Sequence, residues 1–281
     1  ENGATRQFLA LDITSPESGW QKLPDFALPV SGASAVAQMD GEVVSLHIFG
    51  GRAKKEGEIT TTFYPHVFRF RSSEGKWEQK KDMEFPLAVA AAAPIGASHI
   101  VLAGGDSGEI FNQVERAIHS LENGNEEARQ MRDSLWINHP GFNSKLKIYN
   151  TVTDVWFDAG NWEGIPVAVA PAVVWNGAVV IPGGEIRPAI RTPFLHEIQF
   201  SVKPVFGWLN YLVLGIYFVG MLLLGFYFMR RENSTDDFFK AGGRIPWWAA
   251  GISIFATTLS AITFIAIPAK SYASDWRMFM F

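Results

Sequence analysis

The sequence predicts an all-β propeller, present in part, followed by two transmembrane α-helices. Three observations predict it: a Gly-Gly pair that recurs after apolar segments, a tryptophan at a near-constant distance before each pair, and two long uncharged runs confined to the end of the chain. The character of the chain changes near Pro204. Beyond it lie six Lys/Arg and four Asp/Glu, which leaves 18 basic and 24 acidic residues before it. That acidic balance excludes nucleic acid as a partner, because phosphate binding needs clustered positive charge. With no cysteine, disulfides, thiol nucleophiles and Cys-based zinc sites are excluded together.

The repeat organises residues 1–203. "AVAQMDGEVVSLHIFGG" ends at Gly51, "AAAPIGASHIVLAGG" at Gly105 and "APAVVWNGAVVIPGG" at Gly184. Trp20 precedes Gly50 by 30 residues; Trp77 precedes Gly104, and Trp156 precedes Gly183, by 27. Stretches such as "HVFRFRSSEGKW" and "LKIYNTVTDVW" alternate with period two around turn residues, as strand pairs do. A four-stranded unit of about 50 residues with an internal Gly-Gly and a closing tryptophan reads as a kelch-type blade. The glycines would let neighbouring backbones approach, and the tryptophan would fill the space between blades. "FLALDITSPESGW" (residues 8–20) reads as a leading half-blade. Three to four blades leave a ring open, so the expectation is that further blades lie upstream and that residues 1–203 do not fold alone. Residues 111–140, "FNQVERAIHSLENGNEEARQMRDSLWINHP", are an insertion whose Val114, Ile118 and Leu121 fit a helix. It is either a solvated decoration or a lid beside the propeller mouth.

Residues 204–281 read as membrane. Val205–Met229 and Ile245–Ala269 are each 25 residues without a charged side chain. At ~1.5 Å per helical residue either can cross a hydrocarbon core of ~30 Å. Trp208, Tyr211, Trp247 and Trp248 near the ends suit interfacial anchors. Arg230, Arg231, Lys240 and Arg244 make loop 230–244 the basic one, which places it in the cytoplasm and residues 1–203 outside it. The second run carries Thr257, Thr258, Ser260 and Thr263 mid-span. Such hydroxyls can open a helix and aim carbonyls at a cation; they also serve in ordinary helix packing.

"DDFFKAGGRIPWW" (236–248) and "ATTLSAITF" (256–264) resemble the opening of sodium/solute symporters, over residues 208–276 nearly continuously. The resemblance implies an inverted-repeat transporter whose second run is a broken core helix. It implies Na⁺ as coupling ion, with the carbonyls of Ala256 and Leu259 facing it, and Thr258, Ser260 and Thr263 lining the substrate pocket. It implies an integral protein of the bacterial inner membrane, with the propeller on the periplasmic or extracellular side. Two helices alone would not transport.

"GGEIRPAIRT" (183–192) resembles the signature of the kelch-type N-acetylneuraminate epimerases, or mutarotases, and the resemblance spans most of residues 20–200. It implies that Glu185 is the functional acid and Arg191 the functional arginine, with Arg187 at the substrate mouth and no cofactor in the propeller. Interconverting anomers moves a proton off the anomeric hydroxyl and another onto the ring oxygen, work suited to a carboxylate. A sugar acid's own carboxylate suits the planar fork of arginine. Read from spacing alone, the three charges also make a blade-end ion-pair cluster. Arg187 stands where lysine is usual and Ala189 where glycine is. One strand, "FLHEIQFSV", leads from this signature into the membrane run, which implies a circularly permuted propeller. The resulting expectation is a bifunctional protein, a sialic acid mutarotase linked to a sodium-coupled symporter. The alternative is a non-catalytic propeller that binds sugar or protein.

Overall fold

Seven-residue alternation in "SAVAQMD" and "VVSLHIF" sets strands with one face inward. The computed structural model describes residues 3–41, 43–200, 207–230 and 246–258, in two units, Glu1–Gln199 and Phe200–Phe281. In the first, β1 (Phe8–Ala10) and β2 (Gln21–Leu23) form a hairpin. The first blade is β3 (Ser34–Asp40), β4 (Val43–Phe49), β7 (Val67–Arg71) and β8 (Lys76–Lys80), with a small hairpin, β5 (Arg52–Ala53) and β6 (Thr62–Phe63), between its second and third strands. The second is β9 (Ala91–Ile95), β10 (His99–Ala103), β11 (Lys145–Asn150) and β12 (Val155–Asn161). Helices α1 (Glu109–Glu122) and α2 (Glu127–Ile137) interrupt it at the equivalent point. The third is β13 (Val173–Trp175), β14 (Ala178–Pro182) and β17 (Leu195–Ile198), interrupted by the hairpin β15 (Glu185–Arg187) and β16 (Ile190–Arg191). All sheet pairings are antiparallel, and the innermost strands β3, β9 and β13 pack successively.

Each excursion begins directly after a Gly-Gly pair, so all three emerge from one end of the unit. The first two pairs make the blade-to-blade contact. A Cβ on Gly50 would lie 1.9 Å from the Leu87 carbonyl oxygen, and one on Gly104 would lie 1.9 Å from that of Val167. In these two pairs the second glycine donates to the same oxygen, Gly51 at 2.8 Å and Gly105 at 3.1 Å. Beside these contacts runs a ladder of left-handed residues, Gly32 (φ 63°), Val89 (52°) and Val169 (54°). Val89 N–H donates to the Gly32 carbonyl at 2.7 Å and Val169 N–H to the Val89 carbonyl at 3.0 Å. Valine is strained there, and the inter-blade hydrogen bonds hold it.

Two of the three tryptophans fill the space between sheets. Trp77 packs on Phe8 and Phe26 and donates from Nε1 to the Pro24 carbonyl at 3.1 Å. Trp156 packs on Phe49 and donates to the Lys81 carbonyl at 3.0 Å. Trp20 differs: it is exposed, because no sheet precedes its hairpin among the described residues.

The core between the first two blades gathers Val36, Phe49, Val67, Leu87, Ile100, Leu102 and Tyr149. Asp40 and Arg69 form a buried ion pair, continued outward by the half-exposed Glu78 on Arg69 and by Arg71, which donates to Asp40 at 2.7 Å. His47 is fully buried and neither ring nitrogen has a partner. Burial outweighs the pull of Asp40 and lowers its pKa from 6.5 to about 4. The unfolded chain therefore takes up a proton near pH 6.5 that the folded chain refuses until about pH 4. Stability is full above the upper value and falls with pH across that window, by about 3 kcal/mol at its lower end. Urea unfolding at stepped pH should show this loss in the parent protein and a flatter profile in His47→Leu. Equal slopes in the two would contradict the assignment.

In the second unit, α3 (Trp208–Met229) contains a 20-residue stretch, Trp208–Tyr227, long and apolar enough to cross a membrane. The other uncharged run is helical as α4 (Trp247–Thr258), 12 residues. Its first residue, Ile245, and its continuation from residue 259 lie outside the described residues, as does 231–244 of the basic loop, so one candidate crossing is shown rather than two. Thr257 Oγ1 donates back to the Ser253 carbonyl at 2.8 Å, the local use of a helical hydroxyl.

Candidate functional site

The residue after each Gly-Gly pair is held in a two-residue backbone bridge at the propeller mouth: Arg52 with Ser31, Asp106 with Ala88, and Glu185 with Ala168. Three ionisable side chains thus share one structural position in successive blades. For Glu185 the bridge is tight, its N–H reaching the Ala168 carbonyl at 2.8 Å and its carbonyl accepting from Ala168 at 2.9 Å.

The β15–β16 hairpin then sets Glu185 opposite Arg191. Their side chains meet at 3.5 Å, Arg191 Nη2 to Glu185 Oε1, with the acid largely shielded and the arginine exposed. A pair this loose and wet contributes little to stability, so both groups can exchange partners. Arg187 points elsewhere: its Nη1 donates to the Ile137 carbonyl at 3.1 Å, the last residue of α2. A cation there satisfies an otherwise free carbonyl and complements the helix dipole.

Arg187 thereby ties the helical insertion to the third-blade hairpin. The insertion is tied equally to the first blade. Glu115 on α1 accepts from Lys54 Nζ at 3.0 Å and from the Thr61 N–H at 2.6 Å. The Arg52 guanidinium lies 4.4 Å from the Phe111 ring centre. Fastened on both sides, the insertion roofs part of the mouth and is not a free decoration. Under it lies a cavity of about 750 Å³, bordered by Asp106, Phe111, Trp136, His139, Arg187 and Ile190 among others. Its size is that of a small-molecule site.

The predicted trio is therefore divided. Glu185 and Arg191 come together as a pair, whereas Arg187 lines the neighbouring cavity. Of the membrane residues, Ala256 and Thr258 lie in the last turns of α4, and Leu259, Ser260 and Thr263 lie outside the described residues. Among the described residues no group of three or more His, Cys, Asp or Glu is gathered to hold a metal ion. Asp106 and His139 were not singled out by sequence reasoning. The signal for Asp106 was present in the repeat register, as the residue after Gly-Gly.

Two four-stranded blades and a three-stranded one, joined through Gly-Gly contacts and inter-blade indoles, with every excursion at one mouth, define a kelch-type propeller. The model of the N-acetylneuraminate epimerase family (NANM) matches residues 2–215, and the chain belongs to that family. It is 26% identical over 213 residues to the N-acetylneuraminate epimerase of Haemophilus influenzae, covering 73% of this chain and 54% of that protein. A solved structure titled "Structure of YjhT" superposes with a TM-score of 0.58 at 21% identity, covering 70% of this chain and 56% of the other, a likeness of fold. A further segment of 71 residues is 61% identical to the sodium/sialic acid symporter SiaT of Proteus mirabilis, covering 25% of this chain and 14% of that protein. The chain thus spans about half the length of the curated epimerases it matches and a small part of the symporters.

Proposed function

We propose that the propeller, residues 1–203, is a sialic acid mutarotase acting outside the cytoplasm, and that residues 204–281 open a sodium-coupled sugar-acid symporter. The observation that carries this reading is the Glu185–Arg191 pair, held across a hairpin at the mouth of a propeller of the epimerase family. Arg191 binds the substrate carboxylate with its guanidinium fork. Glu185, released from that arginine, takes the proton of the anomeric hydroxyl and passes it to the ring oxygen as the C–O ring bond breaks. Rotation about the adjoining carbon–carbon bond and the reverse transfers close the ring on its other face. No atom is gained or lost.

In the membrane part, helices over 205–229 and 245–269 would cross the bilayer with loop 230–244 in the cytoplasm. Na⁺ would be cargo held by the carbonyls of Ala256 and Leu259, with Thr258, Ser260 and Thr263 against the sugar. The likeness to sodium/sialic acid symporters supports this. Joining the propeller and the transporter in one chain raises the local supply of the imported anomer.

The test is anomer exchange of N-acetylneuraminate, followed by NMR in the presence of the full chain in detergent. Acceleration over buffer supports the mutarotase. A well-folded chain that binds the sugar without accelerating exchange would establish the second reading, a binding module, which the observed ion pairing of Glu185 favours.

A further inference from the structure

His139 is nine-tenths buried at the end of the insertion and borders the cavity. Its Nδ1 accepts the Gly141 N–H at 3.1 Å, so the ring carries its proton on Nε2. Among the described residues no hydrogen-bond partner takes that proton, and Nε2 is not sealed in the core. A buried imidazole with its outer N–H unused, on a cavity wall, is a donor placed for a ligand. Lining the same cavity are Asp106 from the second blade and Arg187 from the hairpin. Phe142 packs on its ring, centroids 5.3 Å apart.

Asp106 supplies the complement. One of its oxygens, Oδ1, accepts the Gly108 N–H at 2.8 Å, which orients the carboxylate and leaves Oδ2 for another donor. An acceptor-only carboxylate and a fixed N–H donor in one cavity, lined also by an indole and aliphatic side chains, match a polyol with one apolar face. The wall takes C–H surface, Asp106 takes hydroxyl protons, and His139 gives a proton to an oxygen.

We propose that Asp106 and His139 are ligand-contacting residues, forming a subsite that grips the hydroxylated part of the sugar acid in the roofed cavity while its carboxylate and anomeric centre engage Arg191 and Glu185. This rests on the reading of the hairpin as the sugar-acid site. The contact is made by the neutral imidazole. Burial pushes the His139 pKa down; Asp106 pulls it back up and Arg187 adds to the decrease. A second proton on Nδ1 would oppose the Gly141 N–H and turn the ring away.

The experiment uses the full chain in detergent with N-acetylneuraminate as probe. The His139 ring ¹H–¹³C signal, assigned by its loss in His139→Asn, is followed as sugar is added. Asparagine keeps an acceptor for Gly141 and deletes the outer donor; His139→Gln restores a donor near Nε2. The ring signal should shift with sugar. His139→Asn should raise KM for exchange about tenfold with kcat within about threefold, and His139→Gln should recover part of that. A ring signal that moves although the parent protein does not accelerate exchange would keep the subsite and sink the mutarotase. A stationary signal with exchange intact and abolished by Glu185→Gln would overturn the subsite alone. A stationary signal without exchange would overturn both.

Discussion

Alanine in place of Gly104 is expected to destabilise the propeller unit by about 3 kcal/mol or more. The added Cβ would fall 1.9 Å from the Val167 carbonyl oxygen, on a backbone at φ +70°. The neighbour is main chain, so relief requires the blades to part. Left-handed strain contributes about 1–2 kcal/mol, and overpacking against backbone about 1–3 kcal/mol. Parting the blades also lengthens the hydrogen bond from Gly105 N–H to that carbonyl, now 3.1 Å. Gly75 separates the contributions: it has φ +63° and open space around its Cβ position, so Gly75→Ala should cost only the conformational part, about 1 kcal/mol. Urea midpoints of the two variants against the parent protein measure both. Equal losses at the two sites would mean that the inter-blade contact is not what requires glycine.

Glu185→Gln is expected to lower the rate of anomer exchange by about 10²–10⁴-fold, the usual contribution of a positioned acid–base group. Sugar affinity should change by less than about threefold. Glutamine keeps the size and a hydrogen-bonding carbonyl but cannot accept and return a proton. Its loss of charge frees Arg191, which at most favours an anionic sugar. Exchange measured by NMR and affinity by calorimetry on the same preparation give the two readings. A variant that binds and exchanges like the parent protein would make the Glu185–Arg191 pair architectural.

The parts of the fold legible in the sequence are those where geometry demands one residue type. Gly50 and Gly104 straddle carbonyls of the next blade, and only glycine fits, so the repeat shows through sequence divergence. Trp77 and Trp156 are similarly required by the gap they fill. The helical insertion showed its first helix through Val114 and Ile118, which turn toward the propeller. The second, α2, buries only Ala128 and so has little periodicity to read. The cavity was not legible. His139 lies in "INHPGF", where nothing local distinguishes it, and its meaning comes from Asp106 at the start of the insertion and Arg187 on the third-blade hairpin, which line the same cavity. Arg187 was assigned to the substrate mouth from its neighbours in sequence, whereas its contact with Ile137 crosses 50 positions.

The ladder of left-handed residues has a consequence for how such a protein can change. Glu185 is placed by backbone alone: its bridge to Ala168, then Val169 to Val89, then Val89 to Gly32. None of these links depends on which side chain sits at the mouth. The three equivalent positions already hold a guanidinium, a short acid and a longer acid on the same frame, at Arg52, Asp106 and Glu185. Chemistry at the mouth can therefore be rewritten one residue at a time while the scaffold that aims it stays constant, so new specificities are open to this architecture without refolding.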